Sequence, residues 1–123
     1  MPALKDTSLT TTERRVLDRL VPLLKAEFGD SLHAVWLYGS RARGEAPAPE
    51  SDVDLIVVAD GVSWKDYGRA LRLVDEAAGK EGASSAFFSV KLMDPAFVAE
   101  RRRIGSFFLQ EVDRDRIVLA GKP

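Results

Sequence analysis

The chain has 123 residues, 46% hydrophobic and 30% charged, with a formal net charge of -1 and no cysteine. That length suits one domain over 1–123 with a core of its own, and near neutrality argues against a broad electrostatic grip on nucleic acid. Without cysteine, disulfides, thiolate metal sites and cysteine nucleophiles are excluded.

Residues 1–9 read as a loose lead-in. Met1-Pro2-Ala3-Leu4-Lys5-Asp6 lacks the basic-then-apolar pattern of a signal, and no apolar run approaches the length of a membrane span, so the expected location is the cytoplasm. Thr10 with Glu13 three residues later reads as a capping box. The helix that follows sets Val16, Leu17, Leu20, Leu23, Leu24 and Phe28 on one side at helical spacing, with Arg14, Arg15, Asp18 and Lys25 on the other. Pro22 removes a hydrogen bond and bends this brace, and Gly29 ends it.

Leu32 to Leu37 is a first strand that breaks at Gly39-Ser40. Ser40 to Gly44 opens a short helix, and Glu45 to Ser51, with Pro47 and Pro49, is an exposed loop. Asp52 to Ala59 is a second strand, nearly continuous in apolar residues after Asp54 and therefore covered on both faces. Trp64 to Lys80 is an amphipathic helix with Tyr67, Leu71, Val74 and Ala78 toward the sheet and Trp64 in the core or at its rim. A third strand over Ala86 to Met93 puts Phe88, Val90 and Leu92 on one face and Phe87, Ser89 and Lys91 on the other. Asp94-Pro95 is an N-cap and first helical residue, with Phe97 and Val98 buried and Arg101-Arg102-Arg103 at the carbonyl end. Gly105-Ser106 starts another short helix through Phe107, Phe108, Leu109 and Val112. Ile117 to Leu119 is a last strand before a frayed Gly121-Lys122-Pro123. The pattern is that of an α/β (α+β) domain.

Two stretches carry chemistry: Tyr38-Gly39-Ser40-Arg41-Ala42-Arg43-Gly44 and Ser51-Asp52-Val53-Asp54-Leu55. A glycine after a strand lets backbone approach a ligand closely, and the N–H groups of a following helical turn suit an anion. Residues i and i+2 of a strand share a face, so Asp52 and Asp54 present adjacent carboxylates whose repulsion a divalent cation relieves. Magnesium fits, since it takes few carboxylates and completes its shell with water and phosphate oxygens. Ser40 reads as a phosphate ligand, and Arg41 and Arg43 lie where they reach a triphosphate, although Arg43 equally has Glu45 or Glu50 to pair with. Neither G-x-x-x-x-G-K-[ST] nor G-x-G-x-x-G is present. His33 has no His or Cys nearby with which to hold a metal.

Gly39-Ser40 followed by Asp52-x-Asp54 between apolar residues resembles the signature of the DNA polymerase beta-like nucleotidyltransferase superfamily. With Arg41, Arg43 and Gly44 included, the pattern is similar to that of its minimal nucleotidyltransferase (MNT) domains. The resemblance implies a small mixed β-sheet of about four strands packed by helices. It implies a magnesium-dependent enzyme moving a nucleoside monophosphate, AMP from ATP, to a hydroxyl acceptor. Gly39 and Ser40 would hold phosphate, and Asp52 and Asp54 the metal. The family's third carboxylate falls at Ser89, a departure that Lys91 on the same face accentuates; Asp94 is the weaker candidate for that acid. A chain of this length leaves the acceptor to another molecule, and the resemblance implies a HEPN-type protein partner as in toxin–antitoxin modules. The alternative is a degenerate, antitoxin-like binding module, with Arg101 to Arg103 and the proline-bearing loop as contact surfaces; nucleic acid is a weaker candidate partner.

Overall fold

A computed structural model describes residues 4–47 and 52–123. Pro49, Glu50 and Ser51, at the end of the expected loop, and residues 1–3 of the lead-in lie outside the described residues. The first helix, α1 (Thr11–Phe28), starts at the capping box read from sequence: Thr10 Oγ1 accepts from the Glu13 N–H at 3.0 Å, and Glu13 Oε1 accepts from the Thr10 N–H at 2.8 Å. Then come β1 (Leu32–Tyr38), the single turn α2 (Gly39–Ala42), β2 (Val53–Ala59), α3 (Trp64–Lys80), β3 (Phe88–Met93), α4 (Pro95–Arg103), α5 (Phe107–Asp115) and β4 (Ile117–Gly121).

The strands form one mixed sheet in the order β3-β2-β1-β4. β1 pairs antiparallel with β2 and β4, while β2 and β3 run parallel, as a crossover through α3 requires. Alternation along each strand divides the apolar residues between two faces. Val35, Leu37, Val53, Leu55, Val57, Phe88 and Val90 pack with Val16, Leu20 and Leu24 of α1 and Val74 and Ala77 of α3. Ala34, Trp36, Tyr38, Ile56 and Val58 pack with Val98 of α4 and Leu109 and Val112 of α5. β2 is thereby covered on both sides, as its apolar run indicates.

Several expectations change. α3 meets the core through Ala70, Val74, Ala77 and Ala78, with Tyr67 and Leu71 largely exposed, because small residues let the helix lie close to its neighbours. Trp64 is neither core nor rim: it is 79% exposed at the first position of that helix. Phe97 is also exposed, leaving Val98 as the buried anchor of α4. In the lead-in, Leu4–Asp6 forms a 3-10 turn, the Ser8 N–H donates to the Arg41 carbonyl at 3.0 Å, and Leu9 packs against the core.

The C-terminal end is tied down where fraying was expected. Gly121 belongs to β4, the Lys122 N–H donates to the His33 carbonyl at 3.0 Å, and the Lys122 carbonyl accepts from Trp36 Nε1 at 2.8 Å. Gly121 has φ 74, and a Cβ there would overlap the His33 backbone. Gly121→Ala is therefore expected to cost about 1–2 kcal/mol from the left-handed backbone alone. The overlap adds to that cost, read as a lowered urea midpoint.

Candidate functional site

The site is set by strand register. Tyr38 lies opposite Asp54 in the β1–β2 pair, and Asp54 lies beside Ser89 in the β2–β3 pair. Tyr38, Asp54 and Ser89 thus form one row across the sheet, on the face that α4 and α5 cover. Trp36, Ile56 and Lys91 form the next row on that face. Asp52, two residues before Asp54, shares its parity at the entry to β2.

Gly39 follows β1 with φ 82, and a Cβ on it would overlap Oδ2 of Asp54. Only glycine lets the turn and the carboxylate come this close. Because α2 is a single turn, it offers individual N–H groups rather than a helix dipole. A cavity of about 320 Å³ opens here, lined by Tyr38, Gly39, Ser40, Arg43 and Asp54, with Phe108, Glu111, Val112 and Asp115 contributed by α5.

Burial, and after it the charge of Asp52, raises the carboxyl pKa of Asp54, with Lys91 and Arg43 opposing the shift. The Tyr38 phenol is pushed up to about 12 by burial and by Asp54. Its ring meets Phe108 edge-on, with centroids 5.5 Å apart. Lys91 is exposed, and its Nζ stands 5.8 Å from the centre of the Phe108 ring. Among the described residues, no three His, Cys, Asp or Glu side chains are grouped to hold a metal. Asp52 and Asp54 remain a pair, with Ser89 next in the row.

The two arginines of the motif part ways. Arg41 is buried, and its guanidinium donates to the Ser8 carbonyl, with Nη2 at 2.9 Å, and pairs with Glu13. It is turned toward α1 and the lead-in, so phosphate binding is not assigned to it. Arg43 stays at the cavity, with Nε 2.5 Å from Glu45 Oε2 and Nη1 2.8 Å from Asp115 Oδ2. The hydrogen bonds to Glu45 and then Asp115 raise its pKa beyond the usual arginine range, so it remains a cation. Glu50, its other expected partner, lies outside the described residues.

Asp94 is not brought to the carboxylates. It follows β3 at the end remote from Ser89, where its Oδ1 accepts from the Phe97 N–H at 2.7 Å as the N-cap of α4. The basic triplet is largely engaged within the molecule: Arg102 bonds Asp113 at 2.7 Å, Arg103 bonds Glu100 at 2.6 Å, and Arg101 lies over the Phe97 ring at 4.9 Å.

Sequence reasoning gave no role to the α5 wall. Phe108, Glu111, Val112 and Asp115 recur at i, i+3, i+4 and i+7, one helical face on which two carboxylates interrupt the apolar stripe. That interruption is the signal by which the wall is recognisable. Asp115 is buried against Arg43 and Arg114; the hydrogen bond from Arg114, supported by that from Arg43, holds its carboxyl below the usual range against the effect of burial.

Comparisons with known proteins agree on one family. The family model described as "Polymerase beta, Nucleotidyltransferase" matches residues 20–102. No curated protein matches the chain. Among solved structures, a chain from the crystal structure of a toxin–antitoxin with AMP-PNP is 21% identical, with TM-score 0.55, covering 86% of this chain and 73% of that one. A chain from a tri-AMPylated Shewanella oneidensis HEPN toxin in complex with an MNT antitoxin is 19% identical, with TM-score 0.51, covering 89% and 72%. A structure described as a minimal nucleotidyltransferase is 25% identical, with TM-score 0.53, covering 85% and 89%. At these identities the toxin–antitoxin likenesses speak for the fold, which is the mixed sheet with flanking helices expected from the motif.

Two substitutions separate scaffold from site. Arg41→Met leaves Glu13 without its buried cation and is expected to cost about 3 kcal/mol in chemical denaturation. Nucleotide affinity in the folded fraction should change little. Asp115 contributes stability fully above its unfolded-state pKa of about 4, and that contribution is lost as pH falls through the lowered folded-state value. Asp115→Asn is expected to lose about 1–2 kcal/mol at neutral pH and to converge with the wild type in acid, measured by urea midpoints across pH.

Proposed function

The chain belongs to the polymerase beta nucleotidyltransferase family, and from that membership we propose that it is a minimal, magnesium-dependent transferase moving AMP from ATP to a hydroxyl of a partner protein. The observation that carries this reading is the Gly39-Ser40 turn seated against the Asp54 carboxylate. A phosphate-binding turn and a metal-binding carboxylate then meet at one cavity.

The donor set fits magnesium. Two hard carboxylates on one face, one of them disfavoured as an anion by burial and by its neighbour, suit a cation that draws its remaining ligands from water and phosphate. Asp52 and Asp54 would hold it. When bound, magnesium supplies charge that offsets the phosphates during an in-line displacement. Gly39 presents backbone at the closest approach, and Ser40 adds its N–H and hydroxyl to the phosphate side. Arg43, braced by Glu45 and Asp115, brings a fixed cation to the cavity. The Tyr38 phenol remains protonated at neutral pH and so offers the site a donor, not a further anion.

A HEPN-type protein is the proposed acceptor or partner, by analogy with the HEPN toxin in complex with an MNT antitoxin. ATP as the donor has its support in the toxin–antitoxin structure with AMP-PNP. The cytoplasm is the compartment that supplies it. Among the described residues, no helix is long and apolar enough to cross a membrane.

A second reading, an antitoxin-like module that acts by binding alone, is favoured by the Asp54–Ser89 register with Lys91 on the same face. A serine there carries no charge for a metal, and an ammonium competes with one for the two aspartates. Asp52→Asn distinguishes the readings. Under transfer, label from α-32P ATP on the partner should fall by roughly a hundredfold or more, as expected when several kcal/mol of charge stabilisation is removed. Inhibition of a HEPN-type toxin by the chain that survives Asp52→Asn undiminished, with no label on the partner in the wild type, would establish the binding module and sink the transferase.

A further inference from the structure

Given the nucleotide-binding role proposed above, on which this depends, we propose that Lys91 supplies to the nucleotide phosphates the positive charge that a second metal would give, so that the site takes one divalent cation per nucleotide. The row that holds Asp54 continues to Ser89, which has no charge to hold a second metal. Two residues further along the same strand and face stands an ammonium. Strand spacings put the Lys91 Cα about 8 Å from that of Asp54, within side-chain reach of a ligand resting on the carboxylates.

The surroundings of Lys91 point the same way. No carboxylate pairs with it among the described residues, whereas Arg43, the other cation near Asp54, is engaged by Glu45 and Asp115. Its Nζ stands over the Phe108 ring, and that ring lines the cavity that contains Asp54. Lys91 also lines an open cleft of about 590 Å³ on the β3 side, shared with Ser89, so solvent and a ligand can reach it.

Charge counting then separates this site from one built on three acids. Three carboxylates draw in two divalent cations, which between them offset the phosphates. Two carboxylates and an ammonium leave the demand of one divalent cation, and the ammonium itself supplies what the second would have given. Lysine suits the task as a compact point charge that binds phosphate without the geometry a guanidinium demands.

The test uses the full chain with AMP-PNP and Mn2+. Electron paramagnetic resonance of free Mn2+ at saturating AMP-PNP counts bound ions, and calorimetry gives affinities for AMP-PNP and for AMP. One Mn2+ per chain is expected in the wild type. Lys91→Ala, at an exposed position, should weaken AMP-PNP by about tenfold, as for loss of a charge-assisted contact, and AMP far less. Ser89→Asp combined with Lys91→Ala should take up a second Mn2+. Two ions in the wild type, an unchanged AMP-PNP affinity in Lys91→Ala, equal losses for AMP-PNP and AMP, or a single ion in the double variant would each overturn the proposal while leaving nucleotide binding intact. A wild type that binds no AMP-PNP overturns both this proposal and the nucleotide site beneath it.

Discussion

The antiparallel register of β1 against β2 is the constraint on which the site depends. It sets Tyr38 opposite Asp54 and so brings the first residue after β1 onto the Asp54 carboxylate. Only an unsubstituted Cα fits there, which is why the strand must be followed by glycine. A slip of one residue would turn Asp54 toward the apolar layer of α1 and α3, where a carboxylate finds no partner, and would bring Leu55 out to face the cavity. The heavily apolar faces on both sides of β2 make such a slip very costly. The apolar layer of α1 and α3 therefore enforces the geometry of the site from the opposite face of the sheet.

Charge is balanced locally around that register. Asp54 is half-buried beside Asp52, an arrangement that disfavours two anions and is tolerated because Lys91 and Arg43 act on it from two sides. Arg43 is in turn fixed by Asp115 from α5, so the helix that covers the sheet also positions a cation at the cavity. Arg41, two residues earlier, faces the opposite way and ties the turn to Ser8 and to the first turn of α1. Neighbouring arginines thus divide the work: one braces the loop and the other equips the site. Spacing from α2 into its C-cap, Arg43, which keeps helical dihedrals, accounts for the division, since residues two apart on a helix point to different sides.

Much of this was legible in the sequence, and the misses have physical causes. The capping box, the strand around Asp54 and the helix Trp64–Lys80 are local patterns, and local patterns were recovered. Alternation within β3 gave the face shared by Ser89 and Lys91, whereas the pairing of Ser89 with Asp54 is set by the β2–β3 register, which alternation does not encode. What escaped depended on distant contacts. Arg41 looked like a phosphate ligand because its neighbours in sequence are Ser40 and Arg43; its partners Ser8 and Glu13 are about thirty residues away, and nothing in the motif encodes them. The C-terminus looked frayed because Gly-Lys-Pro is a weak strand former, yet Trp36 in the central strand holds the Lys122 carbonyl. The face of α3 was misjudged because large side chains were weighted over alanines. Close helix packing favours the alanines and leaves Tyr67 and Leu71 outside.

The two faces of the sheet carry different burdens. The face under α1 and α3 is an uninterrupted apolar layer, and it supports the fold whatever happens at Asp54. The other face is apolar only in part: Trp36, Ile56 and Val58 give way, toward the end of the sheet at Gly39, to Tyr38, Asp54 and Ser89. Apart from the exposed Lys91 in the row of Trp36 and Ile56, the polar residues of this face lie at the end of the sheet at which α5 leaves a cavity, where water or a ligand can meet their hydrogen-bonding needs. Substitutions at Ser89, or at the exposed Lys91 one row along, change charge without opening the core, so the scaffold accommodates either an acid or a lysine beside the two aspartates at little cost in folding. Ser89 and Lys91 thus change the charge at this end of the sheet while the apolar layer on its other face stays intact.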